Sequence, residues 1–209
     1  MKQKVMSIII VFTLLFSFTS FADNGTAASA EPASKSIVII HTNDVHSRVD
    51  ESPGLGYAKL AALASRKASE LGTEPILVDA GDALHGQTIA TITRGESIVR
   101  IMNTVGYDVM VPGNHDFNYG SERLLELASL AKFSIISANI RKNDGSRLLE
   151  PYTIIERDGV KVAFFGLSTP ETAYKTNPRN VTGLTFADPV EEARAMADLL
   201  DDMADVIVC

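Results

Sequence analysis

Three short clusters in this sequence carry side chains able to bind metal ions or move protons. The first is His41-Thr42-Asn43-Asp44-Val45-His46, the second Asp79-Ala80-Gly81-Asp82, the third Pro112-Gly113-Asn114-His115-Asp116. Asp44 and His46 are two residues apart, so in an extended loop they point the same way. A carboxylate oxygen with an imidazole nitrogen suits zinc, manganese or iron better than calcium. Asp82 brings two oxygens, enough to bridge two ions, and Asn114 brings a neutral carbonyl oxygen. Gly81 and Gly113 let the backbone turn sharply beside them. No cysteine lies near, which argues against a structural zinc knot. Mixed oxygen and nitrogen donors with a bridging carboxylate imply a hydrolytic site holding two ions about 3.5–4 Å apart. Taken singly, each cluster has an ordinary reading: Asp-x-His arises by chance, and Gly-Asp after a strand is commonly a turn. Gly-Asn-His-Asp is more specific, because a loop rarely needs all three polar residues for structure alone.

The elements that must position these clusters follow from hydropathy. Residues 37–40, 76–78, 109–111, 133–137 and 206–208 are short apolar runs rich in β-branched side chains. They lack polar alternation, as strands covered on both faces do. Each cluster directly follows one of the first three runs, and in α/β sheets ligands bind beyond the carboxyl ends of strands. Between the runs lie helical stripes: Leu60, Leu63, Ala64, Ala68 and Leu71; Ile98, Ile101, Met102 and Val105; and Leu124, Leu125, Leu127 and Ala128. A fourth helix is signposted by Asp188 as N-cap, Pro189 at the first position and Glu191 as capping-box partner, with Val190, Ala193, Ala197 and Leu200 as its stripe. Asp158-Gly159 between residues 152–157 and 160–166 predicts a two-residue hairpin, so the sheet is mixed and a second sheet begins there.

The chain has 209 residues, 45% hydrophobic and 22% charged, with a formal net charge of −7. That excludes collagen-like, low-complexity and wholly disordered classes. An acidic chain without a basic run is ill suited to gripping a nucleic-acid polymer, whereas a small anionic substrate needs local positive charge, which metal ions supply. Lys2 and Lys4 precede an apolar run over 5–18, too short for a comfortable membrane span and fitting a secretory signal peptide over 1–22. Residues 23–36 read as a linker and 37–209 as the folded domain, which places the protein outside the cell, in the periplasm or at the cell surface. Asn24 and Asn180 head glycosylation sequons, meaningful in a eukaryotic source. Cys209, the only cysteine, closes an apolar run and reads as a small buried strand residue.

Asp44-x-His46, Gly81-Asp82 and Gly113-Asn114-His115-Asp116 resemble the motifs of the metallophosphoesterase (calcineurin-like) superfamily. The longer stretches 40–44 and 112–120 are similar to its exported 5′-nucleotidase and 2′,3′-cyclic-nucleotide phosphodiesterase branch. The resemblance runs from about Ile37 to the end. It implies a four-layer αββα sandwich with mixed sheets, holding two divalent ions (Mn, Zn, Co or Fe). Asp44 and His46 would bind the first ion, Asp82 bridge, and Asn114 bind the second. His115 would be the histidine that steadies the phosphoryl group and can protonate the leaving oxygen. Two cations would neutralise phosphate charge and activate a water for in-line attack.

Two departures from the family pattern stand out. Nucleotidases of this branch often carry an Asp that orients the catalytic histidine where this chain has Asn118, as cyclic-phosphodiesterase-like members do; Asp116 is the other candidate partner. The family also draws later histidine ligands and a C-terminal nucleotide-binding domain from sequence that these residues do not contain, so the expectation is an N-terminal portion of a longer protein, poorly active alone. The favoured reading is a secreted two-metal phosphoester hydrolase acting on nucleotides. The alternatives are a 2′,3′-cyclic-nucleotide phosphodiesterase/3′-nucleotidase, a sulfur-ester hydrolase on the same scaffold, and a non-catalytic metal- or nucleotide-binding module. Among remaining residues, His85 reads either as facing the site, in support of the ligands or toward substrate, or as part of an exposed loop. Asn43 reads as a turn former or a support for the ligands, His41 as a hydrogen-bonded strand end, and Asn139 as a turn former. Arg94 and Arg100 read as solvated helix positions, and Tyr119 as cleft or core.

Overall fold

A computed structural model describes residues 36–50 and 54–209. The expected leader over 1–22, nearly all of the 23–36 linker and the Asn24 sequon lie outside the described residues. The described elements follow the expected alternation: β1 (Ile39–Thr42), α1 (Tyr57–Leu71), β2 (Ile76–Asp79), α2 (Thr88–Thr93), α3 (Glu96–Val105) and β3 (Val109–Met110). A 3₁₀ turn (His115–Phe117), α4 (Ser121–Leu130), β4 (Ser134–Ile135) and β5 (Ile140–Lys142) come next. Then come β6 (Tyr152–Arg157), β7 (Val160–Phe165), α5 (Thr172–Lys175), a second 3₁₀ turn (Pro178–Val181), β8 (Leu184–Phe186), α6 (Pro189–Leu200) and β9 (Val206–Val208).

The first four strands form an all-parallel sheet in the order β1-β2-β3-β4, with Thr42 opposite Asp79 and Asp79 opposite Met110. The three cluster-bearing strands are therefore neighbours, and their carboxyl ends open on one edge. The hairpin forms as predicted: β6 pairs antiparallel with β7, and both turn residues, Asp158 and Gly159, have positive φ (52° and 70°), the backbone of a type I′ turn. β9 lies parallel to β7 in this second sheet rather than beside the first four strands. β5 and β8 make a separate antiparallel pair.

Alternation along the strands explains the four layers. Leu77 and Met110 face one way, into a core with Leu60, Ile98, Met102, Leu124 and Leu127 from α1, α3 and α4. Ile76 and Val109 face the other way and meet Val162 and Phe164 of β7, so the two sheets pack face to face. Ala163 and Phe165 then bury Met196 and Leu200 of α6 on the far side. Helices, sheet, sheet and helix follow in that order, and strands buried on both faces need no polar alternation.

Several local expectations shift. α6 is capped as predicted, Asp188 accepting from the N–H groups of Val190 and Glu191. Glu191 does not close a capping box, since its carboxylate accepts from Arg194 Nη1 at 3.1 Å. Its buried stripe runs through Met196 and Leu200, while Val190 is exposed, because the phase is set by the sheet face it covers. Leu71 and Leu125, expected in their stripes, are also exposed. Cys209 is exposed, one residue beyond β9, rather than a buried strand residue. The three-residue strands β5 and β8 and the short helices α2 and α5 carry too little periodicity to be read beforehand.

Candidate functional site

Beyond the carboxyl edge of the parallel sheet, the first two clusters continue to pair after their strands end. The N–H groups of Asp44, His46 and Ser47 donate to the carbonyls of Gly81, Asp82 and Ala83 at 2.9, 2.8 and 3.0 Å. The third cluster is tied in by side chains: Asp82 Oδ1 accepts the N–H of His115 at 2.7 Å. Asp116 is almost fully buried, and its carboxylate accepts from the N–H groups of Asp82 (2.7 Å), Leu84 (2.8 Å) and Gly113 (2.8 Å). One carboxylate thus staples the second and third loops together.

This stapling requires glycine at two positions. A Cβ on Gly113 would sit 2.3 Å from Asp82 Oδ1, and one on Gly81 would sit 2.5 Å from the backbone nitrogen of Gly113. Three of the predicted ligands also hold left-handed backbone, with φ of 52° at Asp44, 47° at His46 and 60° at Asp82, and Ser47 between the loops has 59°. Left-handed backbone at residues other than glycine costs free energy and is concentrated where function fixes the geometry.

The consequence is a compact donor set. One ligand atom from each of Asp44, His46 and Asp82 lies within 4.8 Å of the others, with His46 Nε2 3.9 Å from Asp44 Oδ1. Oxygen, nitrogen and a second carboxylate at this spacing fit a transition-metal dication. Asn43 supports the set, its amide donating to Asp44 Oδ2 at 2.7 Å. Asn114 is joined to His115, whose N–H is fixed on Asp82, so it enters the same edge about one residue's length (~3.8 Å) along the chain.

Two histidines flank these ligands. The His115 ring makes an edge contact with His46, centroids 5.1 Å apart, and lies parallel to the ring of His85 at 6.0 Å. Asn118 Nδ2 lies 3.0 Å from Nδ1 of His115 and 3.0 Å from Nδ1 of His85. The imidazole partner of His115 is thus Asn118, and Asp116 is occupied by backbone. Thr176 donates to Asn118 Oδ1 at 2.9 Å, and Asn180 donates to the Asn118 carbonyl at 2.9 Å. His85 is drawn toward the site rather than left in a solvent loop. Burial, then the nearby His115 and His46, lower its pKa.

Two deeper carboxylates carry perturbed acidity. Burial raises Asp79 to about 7, against the opposing hydrogen bonds from the Thr42 hydroxyl (2.6 Å) and the Gly81 N–H (2.9 Å). Burial raises Asp116 to about 6, its backbone donors opposing the shift and the neighbouring charge of Asp82 adding to it. Behind the third loop, fully buried Asn139 accepts from the N–H of Ser168 and donates to the carbonyls of Ser168 and Ala187. Ser168 in turn donates to the Pro112 carbonyl at 2.8 Å. Asn139 is therefore a buried strut of the Gly113 loop more than a turn former. Arg94 donates to the Tyr119 carbonyl and Arg100 pairs with Glu96, while His41 is exposed within β1. Sequence reading missed Thr176 and Ser168, which carry no motif and reach the site only through tertiary contacts, and it singled out Asn180 only as a sequon, whereas its side chain donates to the Asn118 carbonyl.

A layered α/β sandwich with this donor set at its parallel edge defines a metallophosphoesterase, and the calcineurin-like phosphoesterase family profile matches residues 37–208. The chain belongs to that family. It is 35% identical over 164 residues to a 5′-nucleotidase of Vibrio cholerae, covering 76% of this chain and 30% of that protein. To Protein UshA of Escherichia coli it is 32% identical, over 95% of this chain and 38% of the relative. The crystal structure of a 5′-nucleotidase precursor from Thermus thermophilus superposes with a TM-score of 0.72 at 29% identity, covering 82% of this chain and 36% of that one. The chain thus spans about a third of the length of these relatives.

Proposed function

We propose that this chain carries the catalytic face of a phosphoester hydrolase acting on nucleotides, exported by its N-terminal leader. The observation that carries the reading is the donor set: Asp44, His46 and Asp82 present ligand atoms within 4.8 Å of one another, beside His115, whose backbone N–H donates to Asp82. The relatives named 5′-nucleotidase support the substrate class.

In this reading Asp44, His46 and Asp82 would hold a dication, and Asp82 and Asn114 would be the residues available to a second. When bound, such ions supply positive charge for the phosphoryl oxygens and lower the pKa of a water for in-line attack. The chain's own residues do the rest. Asp116 fixes the two loops so that Asp82 cannot swing away from the ion site. His115 presents its Nε2 to the phosphoryl or leaving oxygen while Nδ1 rests on Asn118. The amide of Asn118 brings no negative charge to support an imidazolium, and an Asn at this place, where the sequence resembles cyclic-phosphodiesterase-like members, favours a 2′,3′-cyclic-nucleotide phosphodiesterase/3′-nucleotidase as the second reading.

The test is hydrolysis of AMP, 2′,3′-cyclic AMP and a generic aryl phosphate by the chain in its natural full-length context. EDTA should abolish turnover, and Mn or Co should restore it. His115→Ala should lose about 10²-fold or more in kcat while keeping its bound metal by elemental analysis. Activity that survives chelation, or an alanine variant as fast as the parent, overturns the reading.

A further inference from the structure

Asn118 is held by a residue outside every metal or histidine motif. Its side-chain amide has three neighbours: the Thr176 hydroxyl at 2.9 Å from Oδ1, and the Nδ1 atoms of His85 and His115, each 3.0 Å from Nδ2. Thr176 is 4% exposed, and its hydroxyl has Asn118 as its side-chain partner among the described residues. Two orientations of the amide can be weighed by counting donors. With Oδ1 toward Thr176, the threonine hydrogen and both amide hydrogens each find an acceptor. With the amide reversed, the threonine hydrogen and one amide hydrogen are left without one, and for the buried threonine hydroxyl an unmet donor costs about 1–3 kcal/mol. The first orientation prevails.

That orientation dictates the chemistry of two rings. An Nδ1 that accepts from an amide N–H carries no hydrogen, so in a neutral imidazole the hydrogen sits on Nε2. The parallel rings of His85 and His115, 6° between planes, let one NH₂ group serve both.

We propose that Thr176 is a positioning residue that, through the Asn118 amide, fixes His115 and His85 as Nε2–H tautomers, so that both offer a hydrogen-bond donor to the site. The inference deepens the phosphoesterase reading, and its first arm does not depend on that reading. Chain labelled with ¹⁵N in its histidines is examined by long-range ¹H–¹⁵N correlation at a pH where both rings are neutral. The parent shows the Nε2–H pattern at both histidines. Thr176→Val leaves the amide oxygen without its donor, and His115 shifts to a mixture containing the Nδ1–H form; Thr176→Ser keeps the parent pattern. Thr176→Ala serves the same comparison if the valine variant does not fold. In the second arm, kcat on the preferred phosphoester falls about fivefold in Thr176→Val, well short of losing the histidine itself. KM stays within about twofold, and Thr176→Ser restores the rate. An Nδ1–H parent, or an unchanged tautomer in both the valine and alanine variants, overturns the proposal. If the chain hydrolyses no phosphoester, the spectra still decide it.

Discussion

At the scale of single residues, acidic side chains of one type do three different jobs, and their surroundings separate them. Asp44 and Asp82 face the site, Asp79 lies under it, and Asp116 has withdrawn into the backbone. Replacing Asp116 by Ala strips two buried N–H groups and a part-buried third of their acceptor, so it should cost about 3 kcal/mol, or roughly 10 °C in Tm for a domain of this size. Thermal unfolding of the two proteins checks this; an unchanged Tm would mean that Asp116 does not staple the loops. Asp79 makes the opposite kind of contribution. Its carboxyl is raised to about 7 in the fold from an ordinary 3.8, so folding favours its protonated form. Its stabilising effect is complete below the unfolded pKa and is lost as pH rises through about 7. In EDTA, wild-type stability relative to Asp79→Asn should therefore fall by a few kcal/mol from pH 4 to pH 8, since each tenfold change in proton affinity is worth ~1.4 kcal/mol. Denaturant titrations at the two pH values measure it, and parallel pH profiles would remove Asp79 as the source. The sequence showed which residues have the right chemistry. It could not show that Asp116 would be spent on Asp82, Leu84 and Gly113, because a carboxylate beside a histidine in sequence looks the same whether it faces a ring or a loop.

At the scale of elements, three parallel strands deliver three loops to one edge, and the loops hold together by contacts that leave no room for a methyl group. Gly113 does not have positive φ, so its need for glycine is purely one of space. Gly113→Ala would press on both Asp82 Oδ1 and the Asp82 backbone nitrogen, at 2.3 and 2.8 Å. Overpacking of this kind costs about 1–3 kcal/mol, and here the group displaced is a carboxylate of the proposed ion site. Manganese affinity by calorimetry should fall about tenfold or more, since misplaced supporting groups cost that much at metal sites. Full affinity in the variant would show that the loops give way without moving Asp82. The strands and long helices were legible because burial on one or both faces leaves a period in the sequence. β5, β8, α2 and α5 were not, since three to six residues hold too little period. The stripe of α6 was half legible: Ala193 and Leu200 pack inside as expected, while Val190 and Ala197 are exposed and Met196 is buried, because the sheet face sets the phase.

At the scale of the whole molecule, the site is a place where the fold carries cost. Asp44, His46, Ser47 and Asp82 hold left-handed backbone, and the carboxylates of Asp44 and Asp82 converge on one another beside the His46 ring. A dication binding there stabilises the folded state alone, by about 2.7 kcal/mol at a hundredfold excess over Kd. Mn or Zn should raise Tm by roughly 5–10 °C, and EDTA should reverse it. A Tm indifferent to metal would mean that the convergence of these three residues has no ligand. The sequence by itself determined the alternating α/β plan, the hairpin at Asp158-Gly159 and the three loops with their candidate donors, of which the fold gathers Asp44, His46 and Asp82, because burial periodicity and ligand chemistry are properties of residue types in order. Tertiary structure alone decided that Asn118 rather than Asp116 reaches His115, that Thr176 from 58 residues away holds that amide, and that β9 joins the second sheet. Those choices depend on which surfaces meet after the chain collapses, and a hydrogen bond across such a distance leaves no spacing in the sequence to read.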